Sequence, residues 1–544
     1  MQTMEPALAG IEVGGDAPLP QSRPGRRRLP VTLTLAAGAV AAVVLLPAAY
    51  LVVRGSEAGV GGMVDIATSS SALGLLSRST LLAACVTASA LAIGVPLAWL
   101  TTRTDLPGRR AWLVLTSLPL AIPSFIGGFA FVSALGPRGL VQGWLEPLGV
   151  DRLPSIYGFP GAWLVLTLFT YPYVLLAVRA AVQGLDPAME EASRALGHGT
   201  RATLWRVVLP QLRPAMTSGG LLVALYALSD FGAVSLLRFD SFTRAIFFQY
   251  RASFDRTPAA VLSLMLLVLT VAVISGEIRM RGRAAYHRGH GGTPRPAPVT
   301  ALGWWRWPAV VACGVLVAVA LVLPMGVVGY WLVRGLTAGE TLTLTWQAAR
   351  HSLEASFLGA LASVVAAWPV AALSVRHGGV VSRLFERVSY VGYALPGIVV
   401  ALSLVFFGAR FAPSLYQTRT MLVSAYVVLF LPIAVGAIRA SLLQVSPSLE
   451  EASRALGHGP VVTWWRVVLP LVRPGLLAGF ALSFLTAMKE LPATLLLAPT
   501  GYATLATEVW GAAGAVFFAR AAAPALALVL LSSLPLALLT LRER

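Results

Sequence analysis

The sequence predicts an all-α polytopic membrane protein of about 12 transmembrane helices, arranged as two parallel six-helix repeats. Three observations carry that prediction: an apolar composition, charge-free runs of span length, and one decapeptide written twice. Hydrophobic residues make up 57% of the 544 and charged residues 12%, where soluble domains run at about 45–50% and about 25%. A mean hydropathy of +0.77 agrees. Runs such as VTLTLAAGAVAAVVLLPAAYLVV at 31–53 hold no charge. At about 1.5 Å per residue such a run crosses a hydrocarbon core of about 30 Å. Lipid offers backbone N–H and C=O groups no partner, so each run must close its own hydrogen bonds as a helix.

Taken in order, residues 1–30 are polar, rich in Pro and Gly, and end in RPGRRRLP, which reads as a cytoplasmic tail with a basic anchor. A twin-Arg secretion signal at Arg26, Arg27 and Arg28 is the competing reading, but no short apolar region with a small-residue cleavage site follows. Spans are expected near 31–53, 73–101, 111–135, 161–183, 215–237, 258–277, 307–333, 347–375, 387–410, 419–441, 475–497 and 515–541. The first repeat is then 31–278, the second 307–544, and 279–306 is a basic, Gly/Pro-rich cytoplasmic linker. Most of the 41 Lys+Arg fall in the tail, the linker and the loops on their side, so the positive-inside rule puts both termini in the cytoplasm. The net charge of +18 is that asymmetry and not a nucleic-acid signature. Cys85 and Cys313 lie inside apolar spans and read as packed small hydrophobes, not as a disulfide framework or metal site.

The decapeptide EEASRALGHG occupies 190–199 and again 450–459, an offset of 450 − 190 = 260. The likeness continues through TRATLWRVVLPQLRP (200–214) and PVVTWWRVVLPLVRP (460–474), and the same offset pairs Pro172 with Pro432 and Asp230 with Glu490. Further upstream the offset is 273, pairing Ser79 with Ser352 and Pro96 with Pro369. The difference falls in the outer loop after the third span, where insertions are tolerated. Six spans per repeat return each half to its starting side. The halves are therefore expected to be related by a pseudo-two-fold axis along the membrane normal, with a pathway between them.

Each copy opens with a helix start, Asp186-Pro187 or Ser446-Pro447: an oxygen-bearing cap, then Pro at the first helical position. Glu190 and Glu191 follow near the positive end of the helix, and Glu190 stands four residues before Arg194. Ala192, Ala195 and Leu196 supply a small apolar face, and Gly197 suits a left-handed stop. An amphipathic helix lying on lipid headgroups would need only this pattern. Identical letters in two divergent halves point instead to one shape docked twice onto a duplicated protein partner.

Residues 191–210 and 451–470 resemble the EAA signature of ABC-importer inner-membrane permeases. The matching positions are Glu191, Ala192, Ser193, Gly197, Val207, Leu209 and Pro210, then Glu451, Ala452, Ser453, Gly457, Val467, Leu469 and Pro470. Ser stands for the second Ala and Val for the family's Ile. The resemblance implies a type I importer permease fold with EAA loops at 186–214 and 446–474. Coupling helices bearing Glu190, Glu191, Ala192, Ser193 and Gly197, and Glu450, Glu451, Ala452, Ser453 and Gly457, would each enter a groove on one of two ATPase subunits. It also implies a periplasmic or extracellular solute-binding protein, ATP-Mg held in the ATPases and no cofactor here, a bacterial cytoplasmic (inner) membrane, and transport by alternating access. The run KELPATLLLAPTGYATLATEVW (489–510) is similar to the closing region of fused ferric-iron permeases, which implies ferric iron as cargo. Fused thiamine permeases and relatives for polyamines, sulfate or molybdate share the architecture.

No enzyme activity is expected of the chain itself. A P-loop needs Gly-Lys-Ser/Thr, and the only lysine, Lys489, precedes Glu490. The six histidines are scattered without metal-site spacing, and no iron-ligand set is legible. Asp230, Lys489 and Glu490 fall late in spans five and eleven. A central intramembrane charge costs about 2.5–3.5 kcal/mol and usually faces a bundle interior or a water-filled cavity, so a pathway or gate role is expected for these three. Two structural alternatives stand beside it: Lys489 neutralising Glu490, or both acids near the outer interface. A proton-coupled secondary transporter working through Asp230 and Glu490 is the rival class.

Overall fold

The computed structural model describes residues 30–281, 299–340 and 343–542. Nearly all of the expected tail, with Arg26 to Arg28, and 282–298 of the expected linker lie outside the described residues. Every described element is a helix, and the one extended pairing among them is an isolated bridge from Thr104 to Thr300. Nine of these helices are long and apolar enough to cross a membrane, or ten if one bent pair counts as a single span. Twelve continuous spans were expected, and four of those are broken.

The breaks have local causes. In place of 111–135 stand Arg109–Ser117, a 3-10 turn Leu118–Ala121, and Ser124–Leu135. Ile122 precedes Pro123 and is held extended at ψ 120, because the proline ring disfavours helical backbone at the residue before it. Its counterpart 387–410 becomes Val380–Ala394 and Gly397–Phe411, bent by 105° at Leu395-Pro396. In place of 215–237, the helix Leu209–Ser229 stops at Asp230 (ψ 129) and a short helix Gly232–Leu236 follows. In place of 475–497, Leu469–Met488 stops before Pro492–Leu497. The remaining expected spans are helical close to their predicted positions.

The repeats are not self-contained. The first helix, Val31–Ser56, lies against the second repeat: Ser403 Oγ donates to the Pro47 carbonyl at 2.8 Å, Tyr50 meets Phe407 and Phe411 edge-on, and Arg410 pairs with Glu57 at 3.3 Å. Reciprocally, Trp331 in Leu323–Thr337 donates its indole N–H to Ser133 Oγ of the first repeat. This exchange runs the main apolar core through both repeats. Small residues let backbones approach inside it, as lipid-embedded bundles require: a Cβ on Gly94 would lie 2.8 Å from Val174 Cβ, and one on Gly219 3.0 Å from Val174 Cα.

On the side that carries the two decapeptides the described end of the linker is fastened to the first repeat. Asp105 accepts from the Leu302 N–H and from Arg306, both at 2.8 Å, and those two contacts, the backbone N–H first, hold its carboxyl below the ordinary range. At the same register (105 + 273) the second repeat carries Gly378.

Candidate functional site

Both decapeptides fold as expected, into Pro187–Ala195 and Pro447–Ala455. Asp186 accepts from the Ala188 N–H at 2.9 Å and Ser446 from the Ser448 N–H at 3.3 Å, satisfying a donor that a helix start leaves unpaired. Gly197 and Gly457 end their helices in the left-handed region, each at φ +83. The chain then turns into a second helix containing one wide turn, Leu204–Val208 or Trp464–Val468. In those turns the Leu209 and Leu469 N–H groups reach back five residues, to Leu204 and Trp464. Pro210 and Pro470, which have no N–H to give, follow immediately.

The decapeptide has two faces. Glu190 and Ser193 turn inward, as do Glu450 and Ser453. Glu190 receives Arg103 at 3.1 Å, both side chains at most 6% exposed, and Arg194 at 3.6 Å. Glu450 receives Arg376 at 2.8 Å and Arg454 at 3.3 Å. Ser193 bonds to Thr203, and Ser453 to Thr463, each at 3.0 Å. These residues fasten the helix to the spans and do not form its outer surface. The outward face carries Glu191, Ala192 and Leu196, and Glu451, Ala452 and Leu456, the two leucines each 78% exposed. Met189 and Leu449 extend it. Each helix thus presents a small exposed apolar patch centred on its leucine.

The intramembrane charges are built into the broken spans. Asp230 Oδ1 accepts from the N–H groups of Ala233 and Val234 at 3.0 and 3.2 Å, and Ser124 Oγ donates to its other carboxylate oxygen. Glu490 Oε1 accepts from the Ala493 N–H at 3.0 Å. Each acid therefore caps the short helix that follows the break. The two caps are complementary variants of one design. At the register of Ser124 the second repeat has Gly397 (124 + 273), and a Cβ there would lie 2.7 Å from Glu490 Oε1. The longer Glu occupies the room that Ser takes beside Asp. Lys489 makes no ion pair with its neighbour: its ammonium crosses to the first repeat and donates to the Leu120 carbonyl in the 3-10 turn at 3.1 Å. Asp230 is buried and Glu490 half-buried where the repeats meet, with Gly232 against Leu491.

The sequence matches the family described as "Binding-protein-dependent transport system inner membrane component" at 90–276 and at 359–544, well over half of the chain and once in each repeat. The chain belongs to this family. It is a multi-pass permease subunit of the ABC-importer class and not an enzyme. It is 36% identical over 519 residues to the Fe(3+)-transport system permease protein FbpB 2 of Haemophilus influenzae, covering 94% of this chain and 98% of that one. It is 26% identical to the ferric transport system permease protein FbpB of Actinobacillus pleuropneumoniae, over 78% of this chain and 64% of that one. A probable sulfate transport system permease protein cysT of Nephroselmis olivacea is 26% identical over 42% of this chain and 82% of its own length.

Within the permease, sequence reasoning missed Arg103 and Arg376, the residues that hold the decapeptide helices in place. The signal was present: the offset of 273 that pairs Ser79 with Ser352 also pairs these two arginines (103 + 273 = 376). Among the described residues no group of three or more His, Cys, Asp or Glu could hold a metal ion.

Proposed function

We propose that this permease passes ferric iron into the cytoplasm by alternating access, the iron being delivered on the opposite face by a solute-binding protein. Two ATPase subunits, which hold the ATP-Mg, dock on Pro187–Ala195 and Pro447–Ala455. Both termini are cytoplasmic, on the side of these helices. The observation that carries the cargo is likeness along nearly the whole chain to a relative named for Fe(3+) transport, where the sulfate relative matches a part about one repeat long. The docking reading is supported by the matched outward faces of the two coupling helices and by buried arginine–glutamate pairs, which transmit displacement because they hold each helix rigidly to the spans. Asp230 and Glu490 are already engaged as helix caps, which speaks against a proton relay through them.

The test is uptake of radioactive iron by the chain reconstituted with its ATPase and binding protein. Uptake is expected to require ATP hydrolysis and both partners. Uptake driven by a proton gradient without ATP overturns the importer mechanism, and ATP-dependent uptake of sulfate or thiamine in place of iron overturns the cargo.

A further inference from the structure

At the end of the molecule away from the two decapeptide helices, the two repeats line an open cavity of about 460 Å³, within the range of small-molecule sites. Tyr157 lies on its wall, and the helix Phe159–Gln183 separates that residue from the first coupling helix by 25 residues, about 37 Å. The first repeat contributes Arg238, Arg244 and Phe248, and the second Trp510 and Val516.

Three features mark the cavity as built. The first is charge. Arg244 pairs with Asp240, which Arg78 also approaches at 3.5 Å, while Arg238 lies over the Tyr157 ring at 4.8 Å. The lining holds two arginines and no carboxylate, and with Asp240 counted against Arg244 the wall keeps a net positive charge at Arg238. The second is an unsatisfied donor: Arg244 Nε is buried with no hydrogen-bond partner among the described residues. The third is strain. Four non-glycine residues hold positive φ among the described residues, and two of them, Arg238 (φ +56) and Val516 (φ +66), line this one cavity. A β-branched residue in that region is an outlier that surrounding structure must enforce, and such residues gather at ligand clamps.

We propose that this cavity binds a small oxygen anion, a carboxylate or an oxyanion, which accompanies the cargo into the mouth of the pathway. The guanidinium groups supply charge-assisted donors in the geometry that such oxygens accept, and Phe248 and Trp510 add aromatic faces to the lining. A bare trivalent cation would be repelled by the net positive wall, whereas its complex with an anion is not. The accompaniment rests on the iron reading; anion binding by the cavity does not.

The test uses the full chain with its ATPase in nanodiscs of zwitterionic lipid, titrated with citrate and with inorganic phosphate while tryptophan fluorescence is read. A saturable change is expected, absent in Trp510→Phe. It should shift to at least about tenfold higher anion concentration in Arg238→Gln and Arg244→Gln, the loss of one charge-assisted hydrogen bond. Retained ATPase assembly reports that both variants fold. Iron uptake by the wild-type assembly should rise when the same anion is supplied. No saturable signal, or unchanged affinity in both arginine variants, overturns the site. A signal produced only by anionic lipid makes the ligand a headgroup and overturns accompaniment. Arginine-dependent anion binding without any iron uptake sinks the cargo reading and leaves the site standing; iron uptake without anion binding does the reverse.

Discussion

The two ends of the molecule treat the internal repeat differently. At the coupling-helix end the copies agree in detail: identical decapeptides, the same φ at Gly197 and Gly457, and an inward glutamate held by an arginine at 3.1 Å in one copy and 2.8 Å in the other. At the opposite end they share a backbone anchor, Ser79 receiving the Phe242 N–H and Ser352 the Leu505 N–H, but differ in their charges. The first repeat has the Arg78–Asp240–Arg244 cluster. The second has His351 stacked on Tyr502 at 4.2 Å, and Arg419 pairing with Glu354. Midway, the breaks keep one design with exchanged parts, Asp230 with Ser124 and Glu490 beside Gly397. Symmetry is held where two like partners attach in the proposed function, and it lapses where a single cargo enters. Divergence along the axis thus tracks how many partners each level has to meet.

The largest expected effect breaks the inner symmetry. Arg103→Ala leaves buried Glu190 with only the longer, exposed contact to Arg194, a loss of up to about 3–5 kcal/mol by the measure of broken buried pairs, and Arg376→Ala does the same, somewhat less severely, to Glu450, which keeps Arg454. Each variant alone should abolish ATP-dependent uptake while the protein still reaches the membrane, checked by immunoblot beside the uptake assay. Full uptake in either one would mean that the two anchors are not equivalent.

The middle level can be sharpened by exchanging its parts. Gly397→Ser crowds Glu490 and should destabilise by about 1–3 kcal/mol, the range for overpacking, read as a lower melting temperature in detergent. Adding Glu490→Asp recreates the first repeat's pair and should recover most of the loss. A double variant no better than the single one would show that the breaks are not interchangeable.

The smallest effect is local. Gly197→Val and Gly457→Val force a β-branched residue into left-handed backbone at about 1–2 kcal/mol. Uptake should fall several-fold in each and nearly vanish in the pair, with co-purified ATPase falling in parallel. A large loss of uptake with normal ATPase recovery would move these glycines from docking to motion.

Much of this was legible in the sequence because it is written locally. An apolar run long enough for lipid must be a helix, and a cap, a proline and a glycine bound the coupling helices without help from elsewhere. The four broken spans were not legible as breaks. Hydropathy is blind to a two-residue extension inside an apolar run, although Ile122-Pro123 and Leu395-Pro396 do carry the signal in the restriction that proline places on its predecessor. The faces of the decapeptide were likewise hidden, since Glu190 and Glu191 are the same letter. Only the position of Arg103, on another helix, turns one inward.

The sequence by itself determined the membrane class, the duplication, the family and the place of the two decapeptide helices, all of which depend on composition, period and neighbours a few residues apart. Tertiary structure alone decided that each repeat lends its first helix to the other, that the central acids cap helices, and that two strained residues from different repeats meet around one cationic cavity. The reason is separation along the chain: Ser124 and Asp230 are 106 residues apart and Leu120 and Lys489 are 369 apart. No local pattern encodes which distant groups packing will bring within a few ångströms.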